Sequence, residues 1–253
     1  MEAVTGGSKV GQTTLLSAVI LNHIEHVRQL LADGTDVNAE GDNRKTALMW
    51  AAIKGHVECI QLLIGANANL DLQDERGHTA LILAACGKRA DCTKFLVDAR
   101  ADMEVKDKTG RNALMWAAYS GANECVQLLV DRNARIDIGD KHNNTALVWA
   151  AYNGHRTCVE LLIERNANVN VRNDSDNTAL ISATLMNHSG CAQLLLRAKA
   201  DMEVIDALGR TALIWAALFG HTACTQLLID AKAEIETKFN NNKIGRASCR
   251  ERV

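Results

Sequence analysis

The chain contains no proline. No X-Pro bond can therefore isomerise slowly during folding, and no helix start is preset by a pyrrolidine ring. Aromatic residues are scarce, with four Trp, two Tyr and three Phe among 253 residues. An excess of either charge is missing too: 28 Lys and Arg stand against 30 Asp and Glu, with a pI near 6.4. That balance gives no electrostatic reason to expect nucleic acid or an anionic membrane as partner. No run approaches the roughly 18 apolar residues that a membrane-spanning helix needs, so no membrane insertion is expected. The apolar piece Leu15–Leu21 is preceded only by Lys9 and sits in phase with the pattern below, so it reads as a helix, not a secretion signal. There is no glycine-rich phosphate loop, no nucleophile motif and no carboxylate pair outside that pattern. The chain is accordingly expected to be no enzyme and to need no cofactor. An intracellular location, cytoplasmic with the nucleus as the alternative, is expected.

What the sequence does contain is one heptapeptide returning at a fixed interval. Thr46-Ala-Leu-Met-Trp-Ala-Ala recurs as Thr79-Ala-Leu-Ile-Leu-Ala-Ala, Asn112-Ala-Leu-Met-Trp-Ala-Ala, Thr145-Ala-Leu-Val-Trp-Ala-Ala, Thr178-Ala-Leu-Ile-Ser-Ala-Thr and Thr211-Ala-Leu-Ile-Trp-Ala-Ala, with a looser first copy at Thr13. Every interval is 33 residues, without insertion or deletion. Such a period means a stack of small similar units forming one quasi-linear domain. After a lead-in at 1–7, the domain 8–243 divides into repeats 8–40, 41–73, 74–106, 107–139, 140–172, 173–205 and 206–238, with the start of an eighth at 239–243.

One unit shows the local chemistry. Thr145 is placed as an N-cap, its hydroxyl accepting from an orphan backbone N–H, and Ala-Leu-Val-Trp-Ala-Ala-Tyr follows as a short first helix. Leu147, Ala150 and Ala151 share one face, and the alanines admit a close neighbour. Asn153-Gly154-His155 is the turn, its glycine free to be left-handed. Arg156–Glu164 is a second helix, expected to bury Val159, Leu161, Leu162 and Ile163. Val169–Asn177 leads to the next Thr as an extended, hairpin-like loop. Helices this short stand only by stacking.

The pattern resembles the ankyrin-repeat family, whose unit reads T-P-L-H-x-A-A, then G-H, then L-L, then D-V-N-A; the resemblance covers Ser8 to Lys243. It implies an all-α fold, an ankyrin-repeat solenoid of stacked helix-turn-helix units with hairpin-like loops, a concave surface lined by first helices, and partner recognition at loop tips. Two departures matter. The family's Pro is Ala in six copies and Thr14 in the first, trading a preset angle for helix propensity. The family's His is Met, Ile, Val or Leu, so apolar packing is expected to replace its hydrogen bonds. Residues 244–253 break the pattern and resemble translated sequencing-adaptor read-through; they are read as an artefactual tail, with the native chain continuing past Lys243.

Several columns invite a functional reading. Cys59, Cys92, Cys125, Cys158, Cys191 and Cys224 share one second-helix position, and stacked helices about 8–10 Å apart are too far for a disulfide ladder. They read as small apolar seam residues, with a redox sensor as the rival. His56, His155, His188 and His221 precede four of them by three residues, but two ligands per helix do not close a metal site, and no metal is expected. Asn38, Asp71, Glu104, Asp137, Asn170, Glu203 and Glu236 recur as ties to a neighbouring loop; the resemblance also places Asn38 and Asn170 in contexts hydroxylated in some ankyrin repeats. Trp50, Trp116, Trp149 and Trp215 lie about 200° around the helix from the buried Leu, and Tyr119 and Tyr152 follow two of them on the same face. These are either packing residues against the next first helix or binding hot spots. Loop tips carry mixed signs: Asp42, Asn43 and Lys45, then Glu75, Arg76 and His78, then Lys108 and Arg111, then Lys141 and His142, then Asp174, then Arg210.

The expected function is a protein–protein interaction scaffold that binds a protein or peptide on the concave face and loop tips through Trp116, Tyr119, Trp149, Tyr152, Trp50, Trp215, Arg111, Lys141 and His142. The alternative is a targeting or regulatory module of a larger, C-terminally truncated enzyme, channel or ubiquitin-ligase adaptor.

Overall fold

The computed structural model describes residues 15–233. The lead-in, the Thr13 copy, Glu236, the start of the eighth unit and the 244–253 tail lie outside them. The chain divides into two compact units, Met1–Lys141 and His142–Val253. Among the described residues every regular element is helical.

In the first unit, α1 (15–20) is followed by α2 (Ile24–Ala32), then α3 (Ala47–Lys54), α4 (Val57–Gly65), α5 (Ala80–Cys86), α6 (Ala90–Asp98), α7 (Ala113–Ser120) and α8 (Asn123–Asp131). The second holds α9 (Ala146–Tyr152), α10 (Arg156–Glu164), α11 (Ala179–Leu185), α12 (Ser189–Arg197), α13 (Ala212–Leu218) and α14 (Thr222–Asp230). Odd-numbered first helices pack on first helices, α3 on α5 on α7 and α9 on α11 on α13, while second helices pack on second helices. This two-layer stacking is the ankyrin-repeat solenoid architecture.

The helix starts follow from the repeated Thr or Asn. The side-chain oxygen of Thr46 accepts from Met49 N–H at 3.3 Å, and those of Thr79, Asn112, Thr145, Thr178 and Thr211 accept from the equivalent N–H at 3.0–3.4 Å. Gly154 adopts φ +76° at the turn into α10. The small pairs Ala51/Ala52, Ala84/Ala85, Ala117/Ala118 and Ala150/Ala151 are fully buried, so first helices within each unit approach closely. In α11 a Thr replaces the last alanine. Thr184 is also fully buried, and its hydroxyl is satisfied by Leu180 O at 3.0 Å and Ile181 O at 2.9 Å. Met49, Ile82, Met115, Val148 and Ile181 are buried where the family has His, so apolar packing does take that place.

One expectation is corrected. In α10, Cys158, Val159 and Leu162 are buried, but Leu161 and Ile163 are only half-buried. The second helix meets its own first helix and its neighbours on one side only, so its buried stripe is narrower than the run of apolar letters suggests.

Between a second helix and the next first helix, the chain makes a hairpin-like turn without strands. Asp107 N–H donates to Arg111 O at 2.9 Å and Gly110 N–H to Asp107 O at 2.9 Å; 74–78, 173–177 and 206–210 repeat the pattern. The tie column works as expected: Asn38, Asp71, Glu104 and Asn170 accept from the backbone N–H of Asn69, Asp102, Arg135 and Asp201 one repeat on, at 2.8–2.9 Å.

Candidate functional site

The site residues are organised by a column the sequence reading passed over. Five residues before each N-cap stand Asp74, Asp107, Asp140, Asn173 and Asp206, and the four aspartates are all buried. Asp107 shows what the position does. Its Oδ1 accepts from Thr109 N–H and Thr109 Oγ1, both at 2.7 Å, and from Arg111 N–H at 3.0 Å. Its Oδ2 accepts from the Trp116 indole N–H at 2.8 Å. One carboxylate thus closes the loop and fixes the tryptophan. Asp206 repeats this with Leu208 N–H, Arg210 N–H and Trp215 Nε1 at 2.7–2.9 Å. Burial alone would raise the Asp107 carboxyl, but its hydrogen bonds from Thr109, Arg111 and Trp116 outweigh that and hold it below its ordinary value. Asp74 is depressed in the same way, burial opposed by Lys45 and by the His78 and Arg76 amides.

Trp50, Trp116, Trp149 and Trp215 are all half-buried, neither inside the core nor free of it. Trp116 meets Tyr119 edge-on at 5.4 Å, and Arg111 lies over both rings at 5.0 and 5.3 Å. His78 meets Trp116 edge-on at 5.8 Å. In the second unit Trp149 meets Tyr152 edge-on at 6.1 Å, and Trp215 lies between Arg210 at 4.5 Å and a stacked Phe219 at 5.5 Å. Tyr119 and Tyr152 remain 37% and 38% exposed. The Trp50 indole N–H has no acceptor among the described residues, because Gly41 stands where later loops carry Asp.

The charged tips separate into two kinds. Lys141 and His142 are exposed, with His142 Nδ1 3.9 Å from Asp174. Lys45, His78 and Arg111 are not solvated tips, since their side chains are only 16–18% exposed. Each reaches the buried aspartate of the following repeat: Lys45 to Asp74 at 2.9 Å, His78 to Asp107 at 3.6 Å, Arg111 to Asp140 at 3.6 Å. In the second unit the same two positions are Asn144 and Asn173, joined by a neutral hydrogen bond of 2.7 Å. Charge is exchanged for amide chemistry, and the tie survives.

The cysteine column is buried, at 0–1% exposure, and every described cysteine is a free thiol. Burial pushes the Cys92 and Cys191 thiols up to about 11 and raises Cys59, Cys125 and Cys224 as well. Little thiolate is available, which speaks against the redox-sensor reading. In a Cys249→Ser chain, Ellman's reagent should modify the half-exposed Cys86 first and the six column thiols at least about 100-fold more slowly until the chain unfolds. Rapid modification of the column would contradict this packing. His56 Nδ1 lies 2.9 Å from Val19 O and His221 Nε2 3.2 Å from Leu185 O, so these turn histidines meet a carbonyl of the preceding repeat. Among the described residues no group of three or more His, Cys, Asp or Glu side chains is placed to hold a metal ion. None of the described helices is long and apolar enough to cross a membrane.

Fold and site together define a helical repeat protein that displays aromatic side chains on its first helices, with Trp116 and Trp215 anchored to loop aspartates. The chain belongs to the ankyrin-repeat family: the family model described as ankyrin repeats (3 copies) matches residues 15–107, 62–141, 89–173, 134–206 and 167–239. Ankyrin repeats are protein–protein interaction modules and are typically non-enzymatic. No curated protein matches the chain. Among solved structures it is similar to the ankyrin repeat domain of Bcl-3, a member of the IkappaB protein family, with 29% identity over 87% of this chain and 99% of that one and a TM-score of 0.76. It is also similar to the human ASB11 ankyrin repeat domain, with 26% identity over 88% and 99% and a TM-score of 0.79.

Proposed function

We propose that this chain is a non-enzymatic scaffold that grips a protein or peptide partner on the surface made by its first helices and loop tips. One observation carries the reading: Tyr119 and Tyr152 are left partly outside the core, each edge-on to a tryptophan. In the first unit that tryptophan, Trp116, is held by its hydrogen bond to Asp107. Aromatic anchors ordered before contact lose little entropy on binding, and Trp and Tyr dominate interface hot spots. In the first unit Arg111 supports Trp116 and Tyr119, and Lys141 lies at an exposed tip; in the second His142 lies at one. We place its action inside the cell, in cytoplasm or nucleus, where free thiols persist.

The cleaner variant is Tyr119→Ala with Tyr152→Ala, because truncating Trp116 would also strip a donor from Asp107. Affinity purification with this variant should lose the partners retained by the native chain, by about 30-fold or more in recovered affinity. The melting temperature should stay within about 2 °C. Partners that survive the tyrosine changes and vanish instead with exposed second-helix substitutions, Lys94→Ala with Glu160→Ala, would overturn the reading.

A further inference from the structure

The loop tips of the first unit are joined edge to edge by main-chain hydrogen bonds. Lys108 N–H donates to Arg76 O at 2.9 Å and Lys141 N–H to Thr109 O at 3.1 Å. Gly110, at φ +84°, allows that approach, since a Cβ there would stand 2.6 Å from Lys141 N. The bonds align Arg76, Lys108 and Lys141 along one edge, all three exposed and none in an ion pair with a described residue. The aspartates beneath these loops are already committed, Asp107 to Thr109, Arg111 and Trp116, and Asp140 to Arg111. Glu75 and, on the preceding tip, Asp42 are exposed carboxylates of this edge, against Arg76, Lys108 and Lys141, so the row keeps net positive charge. The loop that bears Lys108 also holds Trp116 through Asp107 and sets Arg111 over Trp116 and Tyr119.

We infer that this edge of the first unit takes an extended acidic peptide, its carboxylates on Arg76, Lys108 and Lys141 and an apolar side chain against Tyr119. The inference rests on the docking function proposed above. Neighbouring packed helices lie about 8–10 Å apart, and an extended chain in the polyproline II conformation advances about 3.1 Å per residue with three residues per turn, so acidic residues three apart share one face and would meet successive tips. A single-stranded nucleic acid fits less well. Its bases need open aromatic faces, and the Trp116 ring is already met by Arg111, Tyr119 and His78. The cation row is short and ends beside Glu75, whereas polyanion grooves track a longer backbone.

The test uses the full chain and a dye-labelled 12-residue peptide with Glu at every third position and Leu between, read by anisotropy at about 50 mM salt. The Glu peptide should bind at least about tenfold more tightly than a Gln counterpart and lose that advantage at about 0.5 M salt. Lys108→Glu with Lys141→Glu should abolish the preference, and Lys108→Gln with Lys141→Gln should reduce it; both pairs are exposed, and circular dichroism should be unchanged. Tyr119→Ala should weaken binding and keep the preference for Glu. Equal binding of the Gln peptide, tighter binding of a thymidine oligonucleotide, or an unchanged preference in both lysine variants would overturn the inference. If partner capture falls with Tyr119→Ala and is untouched by the lysine changes, the acidic chemistry is wrong and the docking surface stands. If neither set of changes moves capture, the docking function itself falls.

Discussion

Asp107→Ala should cost about 3–4 kcal/mol, well above an ordinary substitution at an exposed loop position. The carboxylate accepts from two backbone amides, a hydroxyl and the Trp116 indole, and it faces His78 Nε2 at 3.6 Å. Alanine leaves several donors without a partner in a buried place, and an unmade buried hydrogen bond costs more than a made one contributes. Trp116→Phe removes only one donor and should cost about 1 kcal/mol. Urea melts of both variants check the ordering, and equal midpoints would contradict it. The sign of the pH dependence follows from the same geometry. The folded-state carboxyls of Asp74 and Asp107 lie below their ordinary value. Their contribution is therefore fully present above the unfolded pKa of about 3.9 and is lost as pH falls from there through the folded value. Asp107→Asn should flatten that acid limb.

Leu114→Ala is the second large effect. Leu114 is 1% exposed in the first turn of α7, on the helix that packs against α5. Removing its branched end leaves a cavity that short helices flanked by alanine cannot refill, for a cost of about 2–5 kcal/mol. The loss should spread to the adjacent repeats of the first unit, because each repeat stands on its neighbours. Two comparisons sharpen it. Tyr119→Ala, five residues on, should cost under about 1 kcal/mol. Leu213→Ala, at the equivalent position of α13 but half-buried, should cost less than Leu114→Ala. Equal losses at all three positions would mean that the core is not where burial puts it.

The fold was legible because 33-residue repetition makes weak local preferences additive. A single Thr before Ala-Leu is an unremarkable capping candidate; Thr at five evenly spaced positions and Asn at a sixth, followed each time by small and large apolar residues in one order, leave few architectures. The angular argument for tryptophan was half sufficient. Standing two positions beyond the repeated Leu does keep Trp116 and Trp215 off the innermost core, but it says nothing of what the indole N–H meets. That acceptor was in plain sight in the repeat alignment as Asp107 and Asp206, yet an aspartate in a polar loop reads as solvated when its partner comes from tertiary contact. Arg111 was misread for the same reason. Its charge marked an exposed tip, while the fold spends that charge on Asp140 and lays the guanidinium over aromatic rings. Leu161 and Ile163 show the opposite failure, where apolar letters overstate burial on a helix packed from one side.

The central claim concerns which surface touches a partner, and site-specific photo-crosslinking reads that directly. With p-benzoylphenylalanine at position 119 or 152, chains in cells should transfer label to a partner protein. The same probe at 94 or 160, on the exposed sides of α6 and α10, should transfer little. Crosslinks confined to 94 and 160, with 119 and 152 silent, would contradict the account.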